Sequence, residues 1–222
     1  MQKRIEYFPL AEEMYDVAAK LICKSAKKAI SYSSSFALVL AGGETPLPLY
    51  RKLLDLQFPW NKTDFFWSDE RCVNISDSRS NYGNAMNAFL GKVQVPQDNI
   101  HRIKTELPPE KAAISYAEEL SRFKNSKGRT KLFDLVLLGM GEDGHTASLF
   151  PGSEALNETE KLVATVEPQG LEPRITLTYP AIADSEAVLF MIKGKKKKDL
   201  LTSAKDFPAK KVISEKVIWL AT

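Results

Sequence analysis

Phe133-Asp-Leu-Val-Leu-Leu-Gly-Met-Gly-Glu-Asp-Gly-His-Thr-Ala-Ser-Leu-Phe-Pro-Gly152 runs from an apolar segment into a glycine-rich turn and then presents one histidine. Phe133 to Leu138 is short and nearly continuously apolar, which fits a strand covered on both faces. Gly139, Gly141 and Gly144 give the backbone conformations closed to other residues and let it approach a ligand closely. His145 follows directly, and the chain has only 2 histidines. A glycine loop after a buried strand, with an imidazole at its end, is suited to acid/base chemistry.

The same alternation extends in both directions. Residues 4–8 read as a first strand. Pro9 then opens a long helix with Leu10, Met14, Val17, Leu21 and Ile22 at helical spacing. Phe36 to Leu40 is a buried strand that ends in Ala41-Gly-Gly-Glu-Thr-Pro46, and Pro46 suits the first turn of a helix running to about Leu56. Thr63 to Trp67 is the next strand and meets Ser68-Asp-Glu-Arg71. Residues 80–90 and 108–124 read as helices, with a short strand from Ile100 to Ile103 between them. Beyond the glycine loop come strands near 162–166, 174–178 and 186–192, a helix from about 195, and a last strand from Val217 to Leu220. This order predicts an α/β fold of Rossmann-like type, a mainly parallel sheet covered by helices on both faces. It predicts one domain over residues 1–222. In such sheets ligands bind outside the carboxyl ends of the strands. Three polar clusters, at 42–45, 69–71 and 139–145, each follow a predicted strand and so converge on one site. Residues 151–161 read as an exposed loop beside it.

Composition narrows the classes. With 222 residues, 44% hydrophobic and 27% charged, the chain is ordinary globular protein, and a net charge of +3 gives no case for a nucleic-acid partner. Lysines do cluster at Lys193 and Lys195 to Lys198. A solvated helix start accounts for such a run. So does a nearby anion, because lysines at a helix N-terminus otherwise oppose the dipole. Cys23 and Cys72 are the only cysteines, which argues for a reducing compartment rather than a disulfide framework. Arg71 beside Cys72 can lower a thiol pKa, but a plain buried thiol is the expected reading. The first residues carry no apolar signal segment and no stretch reaches the ~18 residues of a membrane span, so a cytoplasmic protein without a membrane partner is expected.

Each motif has a bland alternative. Gly139-x-Gly141-x-x-Gly144 matches a dinucleotide fingerprint, yet Pro151-Gly152 cuts short any helix after it, and Glu158 and Glu160 lie in a polar loop rather than at a strand end. The Gly42-Gly43-Glu44-Thr45-Pro46 turn forms a natural oxyanion or phosphate cradle at a helix start, or a tight turn with Thr45 as N-cap. Asp69-Glu70-Arg71 is a functional constellation or a surface ion-pair cluster. Arg174 caps a sheet edge or clamps an anion. Ser148 is three residues after His145, which alone does not make a triad, and no G-x-S-x-G is present. The histidines and cysteines have no zinc spacing, and His101, in a strand-like segment, reads as structural.

Taken together the motifs resemble the 6-phosphogluconolactonase family, the bacterial type related in fold to glucosamine-6-phosphate deaminase and ribose-5-phosphate isomerase. The resemblance covers nearly the whole chain in order. It runs through Gly42-Gly43-x-Thr45-Pro46, Trp67-Ser-Asp-Glu-Arg71, Ser80-Asn81, the Gly139-to-Gly152 block, Pro173-Arg-Ile-Thr-Leu-Thr178 and Gly194-x-x-Lys197. It implies His145, Asp69 and Arg71 as catalytic residues. It implies Gly42, Gly43, Thr45, Gly141, Gly144, Arg174 and Lys197 as phosphate or substrate contacts. Two departures stand out. Glu44 occupies a place where the family often has Ser and is expected to point away, and Asn74 replaces a common proline after Asp-Glu-Arg. The deaminase pattern has Asp-Glu-Tyr where this chain has Asp69-Glu70-Arg71, and Thr146 to Gly152 favours the lactonase. A non-catalytic sugar-phosphate sensor on the same fold is the alternative of another class.

The resemblance implies hydrolysis of 6-phosphoglucono-1,5-lactone to 6-phosphogluconate in the oxidative pentose phosphate route. It implies a small-molecule sugar-phosphate lactone as partner and no metal or organic cofactor, and leaves monomer or dimer open. Neutral His145 would take a proton from water and return it to the departing ring oxygen. Asp69 would orient groups or stabilise the imidazolium. Arg71 or the N–H groups of Gly141 to Gly144 would hold the oxyanion.

Overall fold

In the computed structural model, residues 2–222 are described. β1 (Gln2–Tyr7), α1 (Ala11–Ser33), β2 (Phe36–Leu40), α2 (Leu47–Leu54) and β3 (Thr63–Trp67) open the chain. β4 (Asp69–Arg71), α3 (Asn81–Ala88), β5 (Ile100–His101), α4 (Pro109–Ser126) and β6 (Leu135–Leu138) follow. β7 (Val163–Val166), β8 (Arg174–Leu177), α5 (Tyr179–Ala183), β9 (Ala187–Ile192), α6 (Lys195–Thr202) and β10 (Lys216–Ala221) complete it.

The central sheet has 7 strands in the order β1-β10-β9-β6-β2-β3-β5. Every pairing in it is parallel. Every residue of β2, β3 and β6 is buried. Strand side chains alternate between faces, so complete burial means that both faces are covered. β9 and β10 stack Phe190 on Trp219 at 3.8 Å across their register. From β2 the chain moves outward through β3 and β5, then returns to place β6 on the other side of β2. The loops leaving β2 and β6 therefore diverge, and open the crevice where such sheets bind ligands.

Several boundaries differ from the sequence reading. β1 lies at Gln2–Tyr7 rather than 4–8. α1 starts at Ala11, and Leu10 is its exposed cap residue rather than part of the apolar face. That face is mainly alanine, with Met14, Ala18, Ala19, Ile22, Ala26 and Ala29 buried, because small side chains let the helix pack closely against its neighbours. Glu12 and Glu13 complement the dipole in its first turn. The main correction is a second sheet. Asp69–Arg71 is itself a strand, in a three-stranded antiparallel sheet ordered β4-β8-β7. No helix among the described residues is long and apolar enough to cross a membrane.

The two thiols are unremarkable. Cys72 is pushed up to about 11 by burial, with Glu70, Glu110 and Glu172 adding to it, so Arg71 does not activate it.

His101 is a packing residue. Its ring stacks on Phe66 at 4.3 Å, its Nδ1 is 2.8 Å from Glu119 and its Nε2 is 3.4 Å from Asp64. Burial alone would lower its pKa, but Asp64 and Glu119 outweigh that and hold it above the ordinary 6.5. Burial would likewise raise Glu119, but His101 holds its pKa below 4.5. The raised imidazole stabilises the fold fully below pH 6.5, and that contribution is lost as pH rises through its folded value. The depressed carboxyl contributes above pH 4.5 and loses that as pH falls. His101→Gln is therefore expected to cost most stability between these limits and less at alkaline pH. Urea unfolding across the pH range checks this, and a cost that grows with alkaline pH would contradict it.

Candidate active site

A cavity of about 220 Å³ opens at the carboxyl ends of β2, β3 and β6. Gly42, Gly43, Thr45, Asp69, Arg71, Gly141, His145, Arg174 and Lys197 all border it. The sheet thus brings together every site residue expected from the sequence except Gly144. His101 lies outside, as expected.

The strand ends beneath the cavity are fixed by tyrosines. Tyr50 of α2 donates its hydroxyl to the carbonyl of Ala41 at 2.8 Å. Tyr116 of α4 bridges the N–H and the carbonyl of Trp67, each at 3.0 Å. Both rings are buried, so these bonds brace the turns that follow β2 and β3 in a dry setting.

No helix follows β6. The loop folds on itself instead: the Gly141 N–H donates to the His145 carbonyl at 2.8 Å and the Gly144 N–H to the Gly141 carbonyl at 3.1 Å. These two amides are engaged within the loop and are not free to hold an oxyanion. Their glycines serve shape. A Cβ on Gly141 would fall against the His145 ring and the Asp143 carboxylate. Gly144 has φ of 84°, and a Cβ there would strike Phe207, whose segment also donates the Ala209 N–H to the Gly144 carbonyl at 2.9 Å. Gly144 therefore fastens the loop from behind.

His145 is held on two sides. Its Nδ1 is 2.6 Å from Asp143 Oδ1, and its ring lies 4.5 Å from that of Phe150. Burial works against the charge on Asp143, but the His145 N–H and imidazole outweigh it and keep that carboxyl below 3.8. With Nδ1 protonated and donating to Asp143, Nε2 has a free lone pair, the arrangement a general base needs. The carboxylate partnering the imidazole is thus Asp143 and not Asp69.

Asp69 has a different setting. It is buried and accepts from Ser148 Oγ at 2.7 Å and Ser68 Oγ at 3.2 Å, and Asn81 Nδ2 donates to its carbonyl at 2.9 Å. Glu70 points to the other face of β4. It accepts the N–H groups of Arg71, Asn81 and Tyr82, which cradles its carboxylate at the start of α3. Burial still dominates and raises its pKa. The Asp69-Glu70-Arg71 trio is therefore not a surface ion-pair cluster.

Arg71 and Arg174 are register partners across β4 and β8. Arg71 donates Nη1 to the Arg79 carbonyl at 2.7 Å, and Arg174 lies 5.5 Å from the Phe150 ring. The Nε groups of both are buried without a protein acceptor. Burial, and then the neighbouring Arg71, lower the pKa of Arg174. Both arginines border the cavity, with Arg174 Nη2 3.7 Å from Glu172, so the pair places positive charge beside an anion bound there.

The Gly42-to-Thr45 turn completes the wall. The N-cap of α2 is Pro46, with no side-chain cap, so Thr45 is not a capping residue. Glu44 is exposed at the rim of the cavity. Of the lysine run, Lys197 is the one at the cavity, whereas Lys196 pairs with Glu142 at 3.1 Å. The 151–161 segment is largely exposed, contains a short 3-10 turn and does not line the cavity. Among the described residues no group of three His, Cys, Asp or Glu side chains is placed to hold a metal ion.

Asp143, Ser148 and Phe150 were not singled out as site residues from the sequence. The Asp143-x-His145 spacing was the available signal for the first. The other two depend on contacts with β4 and β8 that spacing does not reveal.

The chain matches the family described as glucosamine-6-phosphate isomerases/6-phosphogluconolactonase over residues 9–219. It is 39% identical to a 6-phosphogluconolactonase of Thermotoga maritima, across 99% of this chain and 98% of that protein. It is 38% identical to a 6-phosphogluconolactonase of a Nostoc species, across 90% and 84%. The crystal structure of a Thermotoga maritima 6-phosphogluconolactonase superposes with a TM-score of 0.88 at 35% identity, covering 99% of each chain. The chain belongs to the glucosamine-6-phosphate isomerase/6-phosphogluconolactonase family.

Proposed function

We propose that the protein hydrolyses 6-phospho-D-glucono-1,5-lactone to 6-phospho-D-gluconate, a step of the oxidative pentose phosphate pathway, as one domain over residues 1–222 acting in the cytoplasm. The observation that carries this reading is the single cavity in which an oriented imidazole faces paired arginines. Arg174 and Lys197 take the phosphate, with the Gly43 and Thr45 turn beside them. This fixes the lactone so that C1 lies before His145. Nε2 of His145 removes a proton from water as its oxygen attacks C1. Asp143 stabilises the imidazolium that forms, and Arg71 stabilises the charge on the former carbonyl oxygen. The C1–ring-oxygen bond then breaks, and the imidazolium returns its proton to that oxygen. The product acid ionises and releases one proton. Asp69, engaged by Ser148 and Ser68, acts by shaping the wall that carries Arg71.

The pH-stat follows this chemistry directly. Acid release from the lactone is expected above the uncatalysed rate, in proportion to protein, and unchanged in excess EDTA without nucleotide. Loss of turnover on chelation, restored by a divalent ion, would contradict the metal-free mechanism.

A further inference from the structure

Asp69 and Thr176 face each other across the antiparallel β4–β8 pair, and Arg71 and Arg174 form the next pair on the same face. Side chains two residues apart on a strand share a face, so this placement follows from the register. Ser148 straddles the first of these pairs. Its Oγ donates to Asp69 Oδ2 at 2.7 Å and its N–H donates to Thr176 Oγ1 at 3.1 Å. Ser148 and Thr176 are fully buried.

The chain reaches Ser148 from His145 by way of Ala147, whose φ is 48°. That left-handed conformation is uncommon for a residue with a side chain, and it persists only where the surroundings hold it. The two Ser148 bonds supply such a hold. Two residues later the Phe150 ring contacts both His145, at 4.5 Å, and the Arg174 guanidinium, at 5.5 Å. The imidazole is carried by the loop after β6 in the large sheet, whereas the arginines are carried by the small sheet. Nothing in the order of the chain makes these two supports move together.

We propose that Ser148 is a positioning residue that locks the His145 segment onto the Asp69–Thr176 pair and so sets the distance from the imidazole to Arg71 and Arg174. The proposal rests on the lactonase reading above. Binding energy at a phosphate accelerates reaction at a distant carbon only when the base is rigidly placed relative to the phosphate site. A lost lock therefore separates phosphate binding from catalysis. It leaves the arginines free to bind and the imidazole free to wander.

The test compares Ser148→Ala, Thr176→Val and Thr176→Ser on 6-phosphogluconolactone and on plain gluconolactone, each corrected for uncatalysed hydrolysis. Ser148→Ala and Thr176→Val are expected to lower kcat on the phosphorylated lactone by about tenfold, within the ~10²-fold that a misplacement of about 1 Å can cost. KM should stay within about threefold, because the arginines are intact. On plain lactone, which has no phosphate for Arg174 and Lys197 to hold, kcat should fall less, so the ratio of kcat between the two lactones drops. Thr176→Ser keeps the hydroxyl and should match wild type. If Ser148→Ala does not fold, Thr176→Val carries the same expectation. An unchanged kcat, or an equal loss on both lactones, overturns the proposal. A wild-type protein no faster than the blank would instead overturn the lactonase reading.

Discussion

His145→Ala is expected to keep its fold and lose about 10²–10⁴-fold in kcat, the usual cost of removing a general base. The imidazole borders the cavity and is partly exposed, so its truncation leaves no unsatisfied group in the core. What it removes is the imidazole whose Nδ1 lies 2.6 Å from Asp143. Asp143, left without its partner, remains partly solvated and ionised, and gives no substitute at the right place. Because the lactone also opens unaided, the loss is read after subtracting the blank. His101→Ala is the control: that ring lies in the packed cluster of Phe66 and Glu119 and should leave turnover intact. An His145→Ala protein within about threefold of wild type would remove the imidazole from the mechanism.

Arg174→Ala is expected to cost the phosphorylated substrate far more than plain gluconolactone. A charge-assisted bidentate contact is worth about 1.5–3 kcal/mol, which converts to roughly a 10- to 150-fold loss in kcat/KM. Arg174 Nη2 lies 3.7 Å from Glu172, and Glu172 keeps its pair with Arg79 at 3.1 Å when that guanidinium is gone. Part of the loss should appear in kcat, since a loosened phosphate lets C1 drift from His145. Lys197→Ala should act in the same direction but less, because neighbouring lysines of the run can supply a point charge. The measured quantity is kcat/KM on phosphorylated lactone divided by that on plain lactone, for wild type and variant. An unchanged quotient would make Arg174 a strand-end residue and place the phosphate elsewhere.

The parallel sheet was legible because its central strands are buried on both faces and so read as continuous apolar runs, as at Phe36 to Leu40 and in the run before Gly139. The glycine turns that follow them marked the cavity for the same reason. The small antiparallel sheet was not legible. β4 has only 3 residues, too few for a period, and all three are charged. Its identity as a strand depends on pairing with β8, about a hundred residues away, and that register alone makes Arg71 and Arg174 neighbours. For the same reason Ser148 read as a residue near a histidine, when its role is set by Asp69 and Thr176. The Gly141 and Gly144 amides looked available because glycine loops often present N–H groups. Here the loop closes on itself, and Gly141 is needed for the room it leaves the imidazole. Glu44 is exposed at the rim of the cavity. Nothing in the structure explains why Glu44 stands there.

The most direct measurement sets the two chemistries of the family side by side on the wild-type protein. One assay follows acid release from 6-phosphogluconolactone, the other ammonia release from glucosamine-6-phosphate. The oriented imidazole, the paired arginines and the Thr146-to-Gly152 segment predict catalysed acid release well above the blank and no ammonia. Acid release at the blank rate, or ammonia production from the amino sugar, would contradict the lactonase account.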